Sequence, residues 1–187
     1  MPSQPAESAS ETVPLCVDLD GTLIRTDTMW ESMRWLMKRN PLHFFQFFIW
    51  WAGGRAHLKH HLARLARIDV GQLPYHCELI DWLQEEKQRG RKLYLVTASD
   101  QAMGEKVAAH VQLFDEVIGS NGVDNLRGHT KRRHLTNRFG KGGYDYAGNS
   151  SVDLQVWPDV RAAIVVNARS SVIDRARQIA TVERVFA

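Results

Sequence analysis

Cysteine is scarce in this chain, which has only Cys16 and Cys77 among its 187 residues. Neither cysteine has a partner at metal-ligand spacing, so the sequence gives no support for a disulfide framework. Long apolar runs are missing as well. The most apolar stretch, FFQFFIWWA, is nine residues long and would extend about 14 Å as a helix, far less than the ~30 Å of a bilayer core. It cannot span a membrane.

The first 13 residues lack the basic and apolar regions of a secretion signal, and we expect residues 1–13 to form a flexible leader. The missing secretion signal and the scarcity of cysteine together predict a cytoplasmic protein. The hydrophobic fraction of 44% is enough for one sizeable core with a small inserted unit.

Acidic residues are absent from positions 32–68, a stretch that holds seven Lys and Arg. The whole chain carries a net charge of +3, so the remainder carries 3 − 7 = −4. Asn40 as N-cap, Pro41 and the stop signal Gly53 predict a helix from Pro41 to Ala52 whose aromatic side chains surround its axis.

Residues 55–68 predict a basic amphipathic helix, which is typical of segments that lie on anionic membranes. Two interpretations stay open. The insertion docks on lipid or admits a lipid-linked phosphate, or it is an ordinary cap that packs its aromatics against the core. The three histidines within residues 55–68, namely His57, His60 and His61, have no carboxylate nearby and are interpreted as surface residues. No recognised motif supports nucleic-acid binding, so nucleic acid is not expected as a partner.

Apolar runs alternate with helical patterns along the rest of the chain. Such alternation predicts an α/β fold, a Rossmann-like parallel sheet flanked by helices. The expected strands are 15–17, 92–96, 116–119, 144–148, 162–166 and 182–186, and the expected helices are 75–89, 101–111, 131–139 and 170–179. Residues 25–73 interrupt the pattern after the first strand.

Two acids, Asp18 and Asp20, follow the first predicted strand directly. Ligands of open parallel sheets bind at the carboxyl ends of strands, so this pair is placed for chemistry. Neighbouring carboxylates repel, and a site that keeps both either binds a hard cation such as Mg²⁺ or divides the roles of nucleophile and acid/base between them. Gly21 permits a tight turn with exposed amides and Thr22 adds a hydroxyl, which suits an oxyanion.

Four motifs in order resemble those of the haloacid dehalogenase-like superfamily. DLDGTL at residues 18–23 resembles the first motif, and LVTAS at 95–99 the second. Lys131 resembles the third, and GNSSVD at 148–153 the fourth. The resemblance implies a phosphatase with a helical cap at 25–88, inserted in a core formed by residues 14–24 and 89–187, as in phosphoserine-phosphatase-like members. The presence of an aspartate at position 20 favours phosphoester hydrolysis.

The resemblance also implies the role of each site residue. Asp18 is the nucleophile that forms an aspartyl-phosphate, Asp20 is the acid/base, and Lys131 offsets negative charge. The expected phosphate-binding residues are Gly21, Thr22, Thr97, Ala98 and Lys131, and the expected Mg²⁺ ligands are Asp18, Asp20, Asn149 and Asp153.

Asn149 departs from the fourth motif, which usually has an aspartate at this position. An amide oxygen binds Mg²⁺ without the negative charge, so weaker metal affinity is expected. Three interpretations follow: a working enzyme with a neutral ligand, a phosphate-binding module with impaired turnover, or an engineered change. The enzyme is favoured because Asp18, Asp20, Thr97 and Lys131 all remain.

A narrower resemblance concerns the stretches FDEVIGSNGVDNLRGHTKRRHL and FGKGGYDYAGNSSVDLQVW. They are similar to the phosphatase-like domain found fused to UbiA-like membrane prenyltransferases. This implies a membrane prenyltransferase domain or a membrane surface as partner, a phosphorylated small-molecule or lipid-linked substrate, and a position on the inner face of the membrane.

Overall fold

A computed structural model describes residues 13–39, 68–120 and 125–187, together with Ile49 and Ala52. Six parallel strands form one sheet in the order β3-β2-β1-β4-β5-β6. The strands are β1 (Leu15–Val17), β2 (Leu93–Asp100), β3 (Glu116–Ser120), β4 (Asp145–Gly148), β5 (Ala163–Val166) and β6 (Val182–Phe186). The α-helices of the described residues are α1 (Thr28–Arg39), α2 (Cys77–Gln88), α3 (Gln101–Val111), α4 (His129–Phe139) and α5 (Ser170–Ile179).

The predicted α/β class is confirmed, and each predicted strand and each of the four predicted helices is present. The main difference is the length of β2, which continues beyond residue 96 to Asp100. Its pairing with β3 changes register between Val96 and Asp100, so the strand carries an irregularity where the second motif lies. Thr97 and Ala98 are therefore strand residues.

Helices cover both faces of the sheet because side chains alternate along each strand. Leu15 and Val17 of β1 lie in one core cluster with Leu79 and Leu83 of α2 and with Val107 of α3. Cys16 faces the other way, into a cluster that contains Leu135 of α4 and Val172 and Ala176 of α5. The result is a three-layer arrangement with two separate apolar cores.

Strand order reverses between β1 and β4, since the chain moves outward in one direction through β2 and β3 and in the other through β5 and β6. The carboxyl ends of the strands flanking such a reversal form the crevice where ligands bind. Asp18 follows β1 and Asn149 follows β4, so two separate sequence motifs meet at this crevice.

The insertion after β1 is described only in part. Helix α1 packs Leu36 against Met29, Met33, Trp35 and Ile68. The predicted helix Pro41–Ala52 and the predicted basic helix at 55–68 lie outside the described residues, apart from Ile49, Ala52 and Ile68, and so does the leader 1–13, apart from Val13. The division into core and cap therefore stays a prediction, while α2 itself packs on the sheet. Within the described residues, no helix has both the length and the apolar character needed to cross a bilayer.

A buried ion network holds the amino ends of the strands, opposite the crevice. Asp145 of β4 is fully buried and pairs with Arg91 and Arg161. Its Oδ1 accepts a hydrogen bond from Arg161 Nε at 2.9 Å and another from the backbone N–H of Ala162 at 2.9 Å. Arg91 also pairs with Glu86, with 2.8 Å between Nη1 and Oε2. The network joins α2, the start of β2, β4 and the start of β5.

We expect Asp145→Asn to lower the free energy of unfolding by about 3 kcal/mol, because it removes the fully buried carboxylate that pairs with Arg91 and Arg161 and leaves Glu86 as the remaining partner of the buried Arg91. Urea unfolding followed by circular dichroism measures this. Glu183→Gln is the matched control, since Glu183 pairs with Arg161 at 3.3 Å from an exposed position. The control should cost less than about 1 kcal/mol. Equal losses in the two variants would contradict a structural role for the buried network.

Candidate active site

A buried ion pair between Asp18 and Lys131 forms the centre of the crevice. Asp18 directly follows β1, and Lys131 projects from the first turn of α4. The two residues are 9% and 3% exposed, and 2.6 Å separates Lys131 Nζ from Asp18 Oδ1. Lys131 Nζ also donates to the Val96 carbonyl at 3.1 Å and to Tyr146 Oη at 2.8 Å. The three acceptors fix the ammonium against one carboxylate oxygen.

Burial raises the pKa of the Asp18 carboxyl from 3.8 to about 7. Lys131 opposes this rise, whereas the neighbouring carboxylates of Asp153 and Asp20 add to it. Three carboxylates therefore share the site with one ammonium group. A further cation at this place would favour the ionised form of Asp18.

Asp20 is held through both carboxylate oxygens. Its Oδ1 accepts a hydrogen bond from the backbone N–H of Thr28 at 2.8 Å, and its Oδ2 accepts one from Ser99 Oγ at 2.7 Å. Because both side-chain oxygens are engaged by protein groups, the main-chain carbonyl is the Asp20 group that fits the metal contact expected from the resemblance.

Gly21 brings the turn after β1 close to Asn149. Its φ of +78° lies in the left-handed region, which favours glycine. A Cβ at this position would lie 2.0 Å from Asn149 Nδ2 and 3.3 Å from Asn149 Oδ1. The Asn149 amide therefore lies directly on the turn that leads from Asp18 to Thr22, and a larger residue at position 21 would strain the turn and displace the amide.

Asp153 ties the loop after β4 to the lysine. Its Oδ2 accepts hydrogen bonds from Asn149 N at 3.1 Å, Ser150 N at 2.9 Å and Ser150 Oγ at 2.8 Å. Its Oδ1 accepts one from Tyr146 Oη at 2.9 Å, and Tyr146 in turn accepts from Lys131. Asp153 thus orients Lys131 through Tyr146. A direct role of Asp153 as metal ligand stays a prediction.

Tyr146 is a site residue that the sequence motifs did not reveal. It is fully buried in β4, where it pairs in register with Cys16 of β1. Burial and the carboxylates of Asp153 and Asp18 hold the pKa of Tyr146 well above its usual value, so its hydroxyl keeps the proton that it donates to Asp153. The sequence feature that could have revealed this residue is a hydroxyl-bearing tyrosine two residues before Gly148, at an otherwise apolar strand end.

Thr97 and Thr22 provide the hydroxyl groups expected for phosphate. Thr97 is buried, and its Oγ1 accepts a hydrogen bond from Ser99 N at 2.9 Å, a bond that does not use the hydroxyl hydrogen. Of the buried side-chain oxygen and nitrogen atoms in the described part of the chain, Thr22 Oγ1 alone lacks a hydrogen-bond partner. A buried hydroxyl without a partner is costly and suggests that a ligand completes the bonding.

The donor set fits Mg²⁺. Among residues 13–39, 68–120 and 125–187, no three His, Cys, Asp or Glu side chains are arranged to hold a metal. What the crevice offers is hard oxygen atoms: the Asp18 carboxylate, the Asp20 carbonyl and the Asn149 amide. Mg²⁺ is usually held by one or two carboxylates and keeps several waters, so a small oxygen set is sufficient.

The structure thus brings together the predicted residues from all four motifs: the turn Asp18–Thr22, the end of β2, Lys131 and the loop Asn149–Asp153. Ser99 and Thr28, which contact Asp20, were not among the predicted site residues. Ser99 stood inside the second motif as quoted, and Thr28 is the first residue of α1. Spacing alone gave no sign that residues 71 positions apart share a hydrogen bond.

A family model described as haloacid dehalogenase-like hydrolase matches residues 15–156. The chain therefore belongs to this family. An uncharacterized protein of Sinorhizobium fredii, y4nM, is 34% identical over 154 residues. The match covers 82% of this chain and 30% of that relative, so the chain spans about a third of the relative's length.

Solved structures with low identity share the fold. A Bordetella pertussis protein of unknown function has a TM-score of 0.67 at 14% identity, covering 93% of this chain and 99% of that one. A phosphoserine phosphatase in its apo form has a TM-score of 0.64 at 13% identity, covering 94% of each chain. The predicted resemblance to phosphoserine-phosphatase-like folds is confirmed at the level of architecture.

The raised pKa of Asp18 gives a testable pH dependence in metal-free buffer. Between about pH 4 and 7 the unfolded chain ionises this carboxyl while the folded chain keeps it protonated, so the folded state binds more protons. The free energy of unfolding must then fall as pH rises through this window. Relative to Asp18→Asn, the wild type should lose on the order of 2 kcal/mol from pH 5 to pH 7 in urea titrations with EDTA. Parallel pH curves for the two proteins would contradict a raised Asp18 pKa.

Proposed function

We propose that the chain is a Mg²⁺-dependent phosphomonoesterase that works through an aspartyl-phosphate on Asp18. The observation that carries this proposal is the buried Asp18–Lys131 pair at the switch point of a haloacid dehalogenase-like hydrolase fold. A nucleophilic carboxylate needs an adjacent positive charge to stay ionised and to approach an anionic phosphoryl group. Lys131 provides part of that charge, bound Mg²⁺ would add to it, and Asp20 lies two residues from Asp18 for proton transfer.

The first chemical step joins Asp18 to the phosphoryl group. An oxygen of Asp18 attacks phosphorus, and the bond between phosphorus and the ester oxygen breaks. Asp20 gives a proton to the departing oxygen, so the alcohol leaves neutral. The negative charge on the phosphoryl oxygens is met by Lys131 and by the hydroxyls of Thr97 and Thr22. The backbone N–H groups of Gly21 and Thr22 already donate to the Thr26 and Leu19 carbonyls, so Gly21 shapes the turn and does not donate to phosphate.

The second step regenerates the enzyme. Asp20, now ionised, takes a proton from a water molecule, whose oxygen attacks phosphorus and displaces the Asp18 carboxylate. Inorganic phosphate leaves and Asp18 returns to its pairing with Lys131. Bound Mg²⁺ would supply positive charge that shields the repulsion between Asp18 and the phosphoryl oxygens. Asp18, the Asp20 carbonyl and Asn149 are the residues that would hold it.

Asn149 separates this proposal from the alternative, a phosphate-binding module with impaired turnover. The amide gives an oxygen ligand but no charge, so the metal is held more weakly than by an aspartate. The intact contacts of Asp18, Asp20 and Lys131 favour the enzyme, because a module that only binds phosphate has no need for a held acid/base group.

The substrate proposal is narrower and concerns a lipid- or prenyl-linked phosphate. Helix α1 begins at Thr28, which contacts Asp20, and exposes Trp30 by 58% and Met37 by 41%. The same helix carries Arg34, Lys38 and Arg39 against one acid, Glu31. A helix that begins beside Asp20 and exposes apolar and basic side chains suits a phosphate monoester presented at an anionic membrane surface. The surface would be the cytoplasmic face of a membrane, with a membrane prenyltransferase domain as a candidate neighbour.

We expect Asp18→Asn to abolish phosphate release while the fold is kept, since an amide is a far poorer nucleophile than a carboxylate. Wild type and variant are compared on a panel of soluble and lipid-linked phosphomonoesters, with Mg²⁺ and with EDTA, and circular dichroism checks folding. Wild-type turnover should require Mg²⁺. Turnover by Asp18→Asn comparable to wild type would disprove the covalent mechanism. A wild-type chain that binds phosphate but releases none from any substrate would establish the binding module.

We expect the wild-type chain to bind liposomes that contain anionic lipid and to lose part of that binding at high salt. Changing Trp30 and Met37 together to Ser should remove most of the salt-resistant part, because that part comes from apolar contacts. Val185→Ser is the matched control, as Val185 is an exposed apolar residue on β6 with 40% exposure. Failure to bind any liposome, with fastest turnover on a soluble ester, would exclude the lipid-linked substrate.

A further inference from the structure

Ser99 and Thr28 form a buried hydroxyl pair beside Asp20, and a hydroxyl of one and a backbone N–H of the other contact the two carboxyl oxygens of Asp20. Ser99 Oγ donates to Asp20 Oδ2 at 2.7 Å, and Thr28 N donates to Asp20 Oδ1 at 2.8 Å. The two hydroxyl oxygens, Ser99 Oγ and Thr28 Oγ1, are themselves 2.8 Å apart and hydrogen-bonded. Ser99 is 8% exposed and Thr28 is 4% exposed, so water competes little for these bonds.

These contacts remove the rotational freedom of the Asp20 side chain. A carboxyl group with hydrogen bonds to both oxygens has its plane and its rotamer fixed, whereas a free aspartate at a turn samples several. Proton transfer requires heavy atoms within hydrogen-bond reach and in alignment, so a fixed carboxyl transfers protons faster than a mobile one.

A hydroxyl pair suits a group that changes protonation state. Ser99 Oγ donates to the ionised carboxylate and can accept from the protonated carboxyl, and the bond between Ser99 and Thr28 can run in either direction. Ser99 can therefore keep its contact with Asp20 either as donor or as acceptor.

Ser99 also shares a short stretch of β2 with the phosphate-binding candidate Thr97. The backbone N–H of Ser99 donates to Thr97 Oγ1 at 2.9 Å, at the place where β2 loses its regular register with β3. Thr28 begins the helix at the start of the insertion. The hydroxyl pair therefore lies next to the phosphate-binding candidate Thr97, the acid/base candidate Asp20 and the start of the insertion.

We propose that Ser99 and Thr28 are positioning residues that align the Asp20 carboxyl for proton transfer, with Ser99 the more important of the two. This rests on the proposed phosphomonoesterase activity, in which Asp20 protonates the leaving oxygen and then deprotonates water. Ser99 touches Asp20 directly, and Thr28 supports Ser99 through its hydroxyl while its backbone N–H holds the other oxygen.

The test compares 4-nitrophenyl phosphate with an alkyl phosphomonoester that the wild type hydrolyses. 4-Nitrophenolate leaves readily without a proton, so its release in the first turnover needs little help from Asp20. An alkoxide needs the proton, and the second step needs the base with either substrate. Rapid-quench kinetics measures first-turnover nitrophenol release, and steady-state kinetics gives kcat and KM.

For Ser99→Ala we expect kcat on the alkyl ester to fall about tenfold or more, with first-turnover nitrophenol release within about threefold of wild type and KM little changed. Thr28→Val should show a smaller loss of the same kind. Ser99→Thr, which keeps the hydroxyl, should recover most of the activity. Ser120→Ala is the matched control, because Ser120 has a similar position at the end of β3 but bonds to the Ala98 carbonyl and Leu126 N instead. It should leave both rates unchanged.

Equal losses for nitrophenol release and alkyl-ester turnover in Ser99→Ala would overturn the proposal, since that pattern belongs to a general structural defect. Unchanged alkyl-ester turnover in Ser99→Ala would overturn it as well, and so would a Ser99→Thr variant that is as slow as Ser99→Ala while equally well folded. A wild-type chain that hydrolyses no phosphomonoester overturns the proposed function and this inference together. Normal wild-type turnover with unaffected Ser99→Ala overturns this inference alone.

Discussion

The structure of the crevice depends on one electrostatic constraint: a carboxylate is buried beside a single ammonium group. Removing Asp18 and Lys131 from water costs several kcal/mol for each charge, and only close pairing with further hydrogen bonds offsets that cost. The Val96 carbonyl and the Tyr146 hydroxyl accept those bonds from the lysine, and Tyr146 in turn donates a hydrogen bond to Asp153. Asp153 in turn holds the loop that carries Asn149. Four elements are thereby fixed relative to one another by a chain of polar contacts.

The same constraint explains why the site suits a cation and a phosphoryl group. One lysine faces three carboxylates, and burial raises the pKa of Asp18 to about 7, so the protein alone does not supply enough positive charge to keep the pair fully ionised. A hard cation held by the crevice oxygens, as in the proposed mechanism, would complete the balance. Thr22 Oγ1, in the turn after β1, is a buried hydroxyl without a hydrogen-bond partner among the described residues, as expected for a hydroxyl that binds phosphate. Buried polar groups that satisfy one another in part are typical of sites completed by substrate.

The site residues that the sequence predicted best are those at a strand end or within one of the four motifs. The acids after β1 were predicted from their position at the end of a strand, whereas Lys131 and the motif after β4 were predicted from the resemblance to the haloacid dehalogenase-like superfamily. The parallel sheet brings them together. The family and the fold class are confirmed on that basis. The link to UbiA-fused domains and a membrane partner stays a proposal.

Contacts that arise between distant segments were not predictable from spacing. Tyr146 reads as a core aromatic, and only the packing of β4 against β1 places its hydroxyl between Lys131 and Asp153. Ser99 and Thr28 are 71 positions apart and meet because β2 continues to Asp100 and α1 begins at the crevice. The predicted strand 92–96 was too short at its carboxyl end. Its apolar residues stop at Val96, whereas the pairing of β2 with β3 resumes at Asp100. Which side chains contact one another depends on the folded structure and does not follow from residue type or spacing.

The most direct measurement of the central claim is detection of the covalent intermediate. The wild-type chain is mixed with a phosphomonoester that it hydrolyses, quenched in acid during turnover, digested, and examined by mass spectrometry for a phosphoryl group on the peptide that contains Asp18. The covalent mechanism predicts a phosphorylated Asp18 that is sensitive to hydroxylamine, as acyl phosphates are, and that is absent from Asp18→Asn. Turnover that continues with no phosphoryl group on Asp18, or with the label on another residue, would contradict it.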